Sequence, residues 1–182
     1  MKIKLYLDFD GVILDTIDVT YRMYEDNDMY QDIRSFYRDL DWDYVLSISH
    51  PINDSINCIK NLVSSNLYDV TILTHVVTEK EAISKKKYLE SVLPSVKFIA
   101  VDREIDKCDA VDPTDSVLVD DYMGNLELWI SKGGIAIKFS DKGKKYDIMS
   151  ISSLNMLIDK YDQIKKMVMS SRKNKTLVNL KK

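Results

Sequence analysis

Three apolar runs in this chain each end on a polar residue able to do chemistry. Ile3 to Leu7 leads into Asp8, Val70 to Leu73 into Thr74, and Val117 to Val119 into Asp120 and Asp121. Short runs rich in leucine and β-branched residues read as buried strands. Val96 to Val101 and Ile135 to Phe139 extend the set to about five. Between them lie helical patterns. Ile52, Ile56, Ile59, Leu62 and Val63 share one face of a segment that reaches Ser65, and a second helix runs from its N-cap Thr78 to Val92, ended by Leu93-Pro94. A third spans Met123 to Ser131, with Gly133-Gly134 as C-cap and turn, and a last amphipathic helix carries Leu154, Leu157, Ile158, Tyr161, Ile164 and Val168 on one face. Strands alternating with helices predict an α/β fold with a parallel, right-handed, doubly wound sheet. Ligands bind beyond the carboxyl ends of such strands, where all three runs put their polar residues. One such ending is compatible with chance; three point to a site.

The first of them is the most demanding. Asp8 and Asp10 lie two residues apart, so in extended backbone they project from the same side. Gly11 then permits a sharp turn and close approach of backbone amides to a ligand. Two like charges this close repel by about 4 kcal/mol at an effective dielectric near 20. A fold that keeps them together supplies a proton, a cation or a substrate that needs both. The bland alternative is a solvated acidic turn after an edge strand.

Composition narrows the classes. The 182 residues, 45% hydrophobic and 30% charged, suit one soluble domain with a sizeable core, with a small insertion at most. A net charge of −3 offers no global basic field for nucleic acid or membrane. Cys58 and Cys108 show no metal-ligand spacing and read as reduced thiols. With no signal-peptide pattern and no apolar run of transmembrane length, the expected location is the cytoplasm. From Ser170 the tail carries Arg172, Lys173, Lys175, Lys181 and Lys182 and no acid. It is expected to be a mobile, solvated terminus rather than a nucleic-acid contact.

Residues 16–50 read as a small helical cap inserted after the first strand, leaving 1–15 and 51–169 as the core and 170–182 as the tail. The stretch Asp15 to Tyr44 holds seven of the chain's 17 aromatics and nine acids against three arginines. Spacings such as Ile17, Tyr21, Tyr24 and Ile33, Phe36, Tyr37, Leu40 suggest two short helices. The aromatics either stack a nucleobase, worth about 1–3 kcal/mol per base, or form the cap's own core; the second reading has the edge. Its acidity argues against a long polyanion and in favour of a small monoester.

Asp8-Phe9-Asp10-Gly11-Val12, Thr74 after Thr71-Ile72-Leu73, a downstream lysine, and Val117-Leu118-Val119-Asp120-Asp121 resemble the four ordered motifs of the haloacid-dehalogenase-like (HAD) hydrolase superfamily. The likeness spans about Met1 to Phe139. The insertion after the first motif and the Asp-Asp form of the fourth are similar to 5′(3′)-deoxyribonucleotidases and related small phosphatases. The resemblance implies a Rossmann-like core and a phosphatase working through an aspartyl-phosphate. Asp8 would be the nucleophile and Asp10 the acid and then the base. Mg²⁺ would be held by Asp8, the carbonyl of Asp10 and Asp121, with Asp120 bound directly or one step behind. Thr74 would donate to a phosphoryl oxygen, helped by amides near Phe9, Gly11 and His75. Lys107 would neutralise phosphate and Asp8, in competition with Lys85, Lys86 and Lys87. Where the family often has a further acid, this chain has Asn125, implying altered metal affinity rather than lost activity.

The expected substrate is a small phosphomonoester, most readily a nucleoside monophosphate, with a sugar or other metabolite phosphate as the alternative. No membrane and no stable nucleic-acid partner is expected. A non-catalytic phospho-ligand module on the same fold would not need both Asp8 and Asp10. A receiver domain fits the Asp-x-Asp-Gly order and the aromatic insertion poorly, and dehalogenation needs neither Asp10 nor the metal. His50, before Pro51, reads as structural; His75 is a pocket wall at most; Cys108 lacks the partners of a nucleophile.

Overall fold

A computed structural model describes residues 2–143 and 146–179, the last seven of these by backbone alone. The first half runs β1 (Ile3–Leu7), α1 (Thr16–Glu25), α2 (Ile33–Asp39), α3 (Trp42–Ile48), a single 3₁₀ turn (Ile52–Asp54), α4 (Ser55–Ser64), β2 (Tyr68–Val76) and α5 (Glu79–Val92). The second runs β3 (Lys97–Asp102), α6 (Lys107–Ala110), β4 (Ser116–Asp120), α7 (Met123–Ser131), β5 (Ile135–Phe139), β6 (Ser150–Ile151), α8 (Met156–Asp159) and α9 (Tyr161–Asn179). All strand pairs are parallel, in the order β3-β2-β1-β4-β5-β6.

Helices cover both faces of the sheet, and β4 and β5 are buried along nearly their whole length, while Lys4 of β1, Asp69 of β2 and Lys97 of β3 are exposed near the strand starts. Leu5, Leu7, Val117 and Val119 face one layer with Ile59 and Leu62 of α4 and Ile164 and Val168 of α9. Leu73 and Leu118 face the other, with Leu126 and Trp129 of α7. The sixth strand is only two residues long, too short for an apolar run to mark it, and so exceeds the five expected from sequence. The last helix is divided into α8 and α9, and α9 continues through Asn179, past the start of the basic tail at Ser170; residues 180–182 lie outside those described.

Between β1 and α4 the chain forms three helices where apolar spacing suggested two. Asp32 and Asp41 each cap a new helix by accepting backbone N–H groups. The chain departs and returns side by side, since Asp15 N–H donates to the His50 carbonyl and His50 N–H to Asp15 Oδ1 at 2.6 Å. The aromatics here pack on one another: Phe36 meets Tyr24, Tyr30 and Tyr37 at 5.3 to 5.6 Å, and Tyr37 stacks on Trp42. They are a core first, although Tyr21, Tyr37 and Trp42 also line the cavity described next.

Candidate active site

The strand order reverses direction between β1 and β4, the topological switch point of a doubly wound sheet, where two neighbouring loops part and leave a crevice. Leu7 and Val119 are in register there, so Asp8 and Asp120 emerge side by side from different strands. Oxygens of Asp8, Asp120 and Asp121 lie within 4.8 Å of one another. Above them is a cavity of about 650 Å³, lined by Asp8, Asp10, Asp121 and His75 from the core and by Thr16, Tyr21 and Tyr37 from the segment after β1. Gly11, at φ 71°, turns the chain beneath Asp121; a Cβ there would sit 2.6 Å from Asp121 Oδ2, so the approach demands glycine.

Two buried lysines divide the carboxylates. The Lys107 ammonium, supplied by the short α6, lies 2.8 Å from Asp8 Oδ1 and 2.7 Å from Asp120 Oδ2. Lys85 reaches from α5 to Asp10 Oδ2 at 2.5 Å and Glu81 Oε1 at 2.6 Å, with no solvent exposure. Lys86 and Lys87 are exposed and pair elsewhere, with Glu90 and Asp43. Of the four candidate lysines, Lys107 is therefore the one on Asp8.

Asp120 accepts three donors. It accepts from Lys107 and from Asn125 Nδ2 at 2.9 Å through Oδ2, and from the Tyr122 N–H through Oδ1. Among the described residues no donor reaches the Asp121 carboxylate, while its carbonyl accepts from Lys138 near the end of β5. Phe9 N–H donates to Asp8 Oδ1. Thr74 donates to Asp10 Oδ2 at 3.3 Å and to the His75 carbonyl, and Thr16 donates to Asp10 Oδ1 at 2.7 Å. His75 joins the Ile105 carbonyl through Nε2. His50 stays at the base of the inserted helices, and both cysteines are buried free thiols. Thr16, Glu81 and Lys138 were not singled out from sequence. The Glu81–Lys85 spacing of four residues was the available signal.

Burial pushes Asp8 up to about 8; Lys107 opposes the shift, while Asp120, Asp10 and Asp121 add to it. Burial and then Asp120 raise Asp121 to about 6, opposed by Lys138. Burial pulls the Lys107 ammonium down, but Asp8 and Asp120 outweigh it and leave it above the usual lysine range. Lys85 is raised in the same way, burial being outweighed by Asp10 and Glu81. Burial raises Glu81 despite Lys85, and burial with Lys107 lowers His75. The all-oxygen donor set of Asp8, Asp120 and Asp121 fits Mg²⁺. Among the described residues no helix is long and apolar enough to cross a membrane.

No protein-family model and no curated protein matches the sequence. Solved structures do match. A haloacid dehalogenase-like family hydrolase from Xanthomonas campestris superposes with a TM-score of 0.60 at 10% identity, covering 93% of this chain and 98% of its own. A HAD phosphatase from Thermococcus onnurineus has a TM-score of 0.54 at 18% identity, covering 87% and 97%. The HAD-hydrolase YfnB of Bacillus subtilis, bound to magnesium, has a TM-score of 0.56 at 13% identity, covering 87% and 97%. At such identities the likeness is one of architecture: the chain has the fold of the HAD-superfamily hydrolases.

Proposed function

We propose that the protein is a Mg²⁺-dependent phosphomonoesterase working through an aspartyl-phosphate on Asp8. The observation that carries the reading is the convergence of Asp8, Asp120 and Asp121 at the switch point, with Lys107 bridging the first two. A divalent ion held by Asp8, Asp121 and the main-chain carbonyl of Asp10, with Asp120 behind them, would neutralise phosphoryl charge. The donors already on Asp120, from Lys107, Asn125 and the Tyr122 N–H, favour the outer place for it in this reading.

In the first step an Asp8 oxygen bonds to phosphorus as the ester P–O bond breaks; its electron pair stays on the leaving oxygen, which takes a proton from the Asp10 carboxyl. In the second, water loses a proton to the Asp10 carboxylate and attacks phosphorus. The Asp8 O–P bond then breaks, returning the carboxylate and inorganic phosphate. Lys107 holds Asp8 in place, and in this reading it would meet the transferred oxygens together with the Thr74 hydroxyl and the amides about Phe9, Gly11 and His75.

The substrate favoured is a nucleoside monophosphate. A cavity of about 650 Å³ is the size of a small-ligand site, and Tyr21 and Tyr37 in its wall offer rings to a base. The test is turnover of a panel of nucleotide, sugar and other phosphomonoesters with and without Mg²⁺, beside Asp8→Asn. Mg²⁺-dependent release of phosphate that Asp8→Asn abolishes, fastest on nucleotides, is expected. Preference for sugar phosphates would replace the substrate. Nucleotide binding without turnover would replace the enzyme by a binding module.

A further inference from the structure

Lys85 is a long cationic side chain with no solvent exposure, and its surroundings are built around its ammonium. Asp10 Oδ2 lies at 2.5 Å, Glu81 Oε1 at 2.6 Å and the His75 carbonyl at 3.3 Å. Two rings close the remaining directions, Trp42 with its centroid 4.6 Å from Nζ and Phe9 at 5.3 Å. Glu81 is itself anchored, its other oxygen accepting the Val77 N–H at 2.7 Å. A buried charge is costly unless fully paired, and here every partner serves to hold one ammonium against one carboxylate. Lys85 touches neither Asp8 nor Asp120, so it is not the cation of the phosphoryl group.

Asp10 is gripped from both ends. Thr16 donates to Oδ1, and Lys85 and Thr74 donate to Oδ2. Of these donors only Lys85 is charged; Thr16 belongs to α1, and Lys85 meets α3 through Trp42. The geometry points to Lys85 as a positioning residue, anchored by Glu81 and seated under Trp42, that fixes the Asp10 carboxyl for proton transfer to the leaving group. The inference rests on the phosphatase reading and adds a role for residues that reading does not use.

The test compares two esters. p-Nitrophenyl phosphate releases a stabilised phenolate that needs no proton, whereas an alkyl ester such as glycerol phosphate releases an alkoxide that does. Lys85→Met is expected to lower kcat/KM on the alkyl ester by about ten- to a hundred-fold more than on the aryl ester, within the range of general acid catalysis. Stabilisation by Mg²⁺ should be unchanged, and for the aryl ester any fall in kcat should come with an equal fall in KM, from slower Asp10-assisted hydrolysis of the aspartyl-phosphate. The double variant Glu81→Gln/Lys85→Met removes one charge of each sign, sparing the fold an unpaired buried ion, and is expected to show the same selectivity. Equal losses on both esters, a rise in KM for both, or no loss would overturn the positioning role while leaving the phosphatase reading intact. A wild type inert toward both esters with Mg²⁺ would overturn the two together.

Discussion

Raising the pH from 7 to 9 perturbs one group more than any other at the three-carboxylate cluster. Asp8, pushed up to about 8 by burial, holds a proton in most metal-free molecules at pH 7 and has lost it in most at pH 9. An ion bound to Asp8 competes with that proton. The ionised fraction rises steeply across this interval, so Mg²⁺ affinity should rise by about an order of magnitude. Metal-free stability moves the other way. The folded state holds a proton that the unfolded chain, at the ordinary aspartate value, has already released, so stability falls with pH across the same interval by a similar amount. Asp121, at about 6, and the lowered His75 change little above pH 7. The assay is chemical denaturation at both pH values, without metal and over a Mg²⁺ titration. Metal-free stability that falls while the Mg²⁺ increment grows is the expected result. A Mg²⁺ increment independent of pH, or metal-free stability that climbs between pH 7 and 9, would refute the buried, under-neutralised Asp8 on which the reasoning depends.

Gly11→Ala should displace Asp121, since the added methyl would lie 2.6 Å from its Oδ2 on backbone at φ 71°; a melt without metal should show a loss of about 1–3 kcal/mol and the Mg²⁺ shift should largely vanish. Lys107→Met strips Asp8 and Asp120 of their shared cation and is expected to cost about 3–5 kcal/mol by denaturation, with turnover lost, whereas Lys86→Met at an exposed pair with Glu90 should cost under about 1 kcal/mol.

Much of this architecture was legible because both sheet faces are buried. The apolar runs make the strands visible, and Asp8 and Asp120 stand at the carboxyl ends of two of them; Thr74 does not, because β2 continues through His75 to Val76. Other features left no comparable trace. The two-residue β6 is too short for a pattern. The third inserted helix begins at Trp42, whose ring joins the aromatic cluster while Asp41 caps the backbone, and apolar spacing alone does not locate a seven-residue helix. Lys138 reads as one polar residue inside β5; only the pairing of β5 with β4 sets it opposite Asp120, close enough to reach the Asp121 carbonyl.

The lysines show where local pattern gives out. Lys85, Lys86 and Lys87 are consecutive, and two of them have an acid four residues away on the same helix, Glu81 for Lys85 and Glu90 for Lys86. As sequence the two pairs differ only in order, Glu81 preceding its lysine and Glu90 following its own, a small difference in helix terms. In the fold one is wholly buried against Asp10 and the other stands in water, because consecutive residues differ by about 100° around a helix of 3.6 residues per turn. That difference cannot be read before the helix is docked, since α5 carries few apolar residues to declare its inner face. Buried residues Glu81, Lys85 and Leu89, spaced by four, define that face after the fact. A helix that turns two charged residues inward with one leucine gains less from apolar burial than one packed by leucines alone, and the ion pair supplies only part of the difference. Its inner face is organised for Asp10, and the stability of α5 is subordinate to where that carboxylate points.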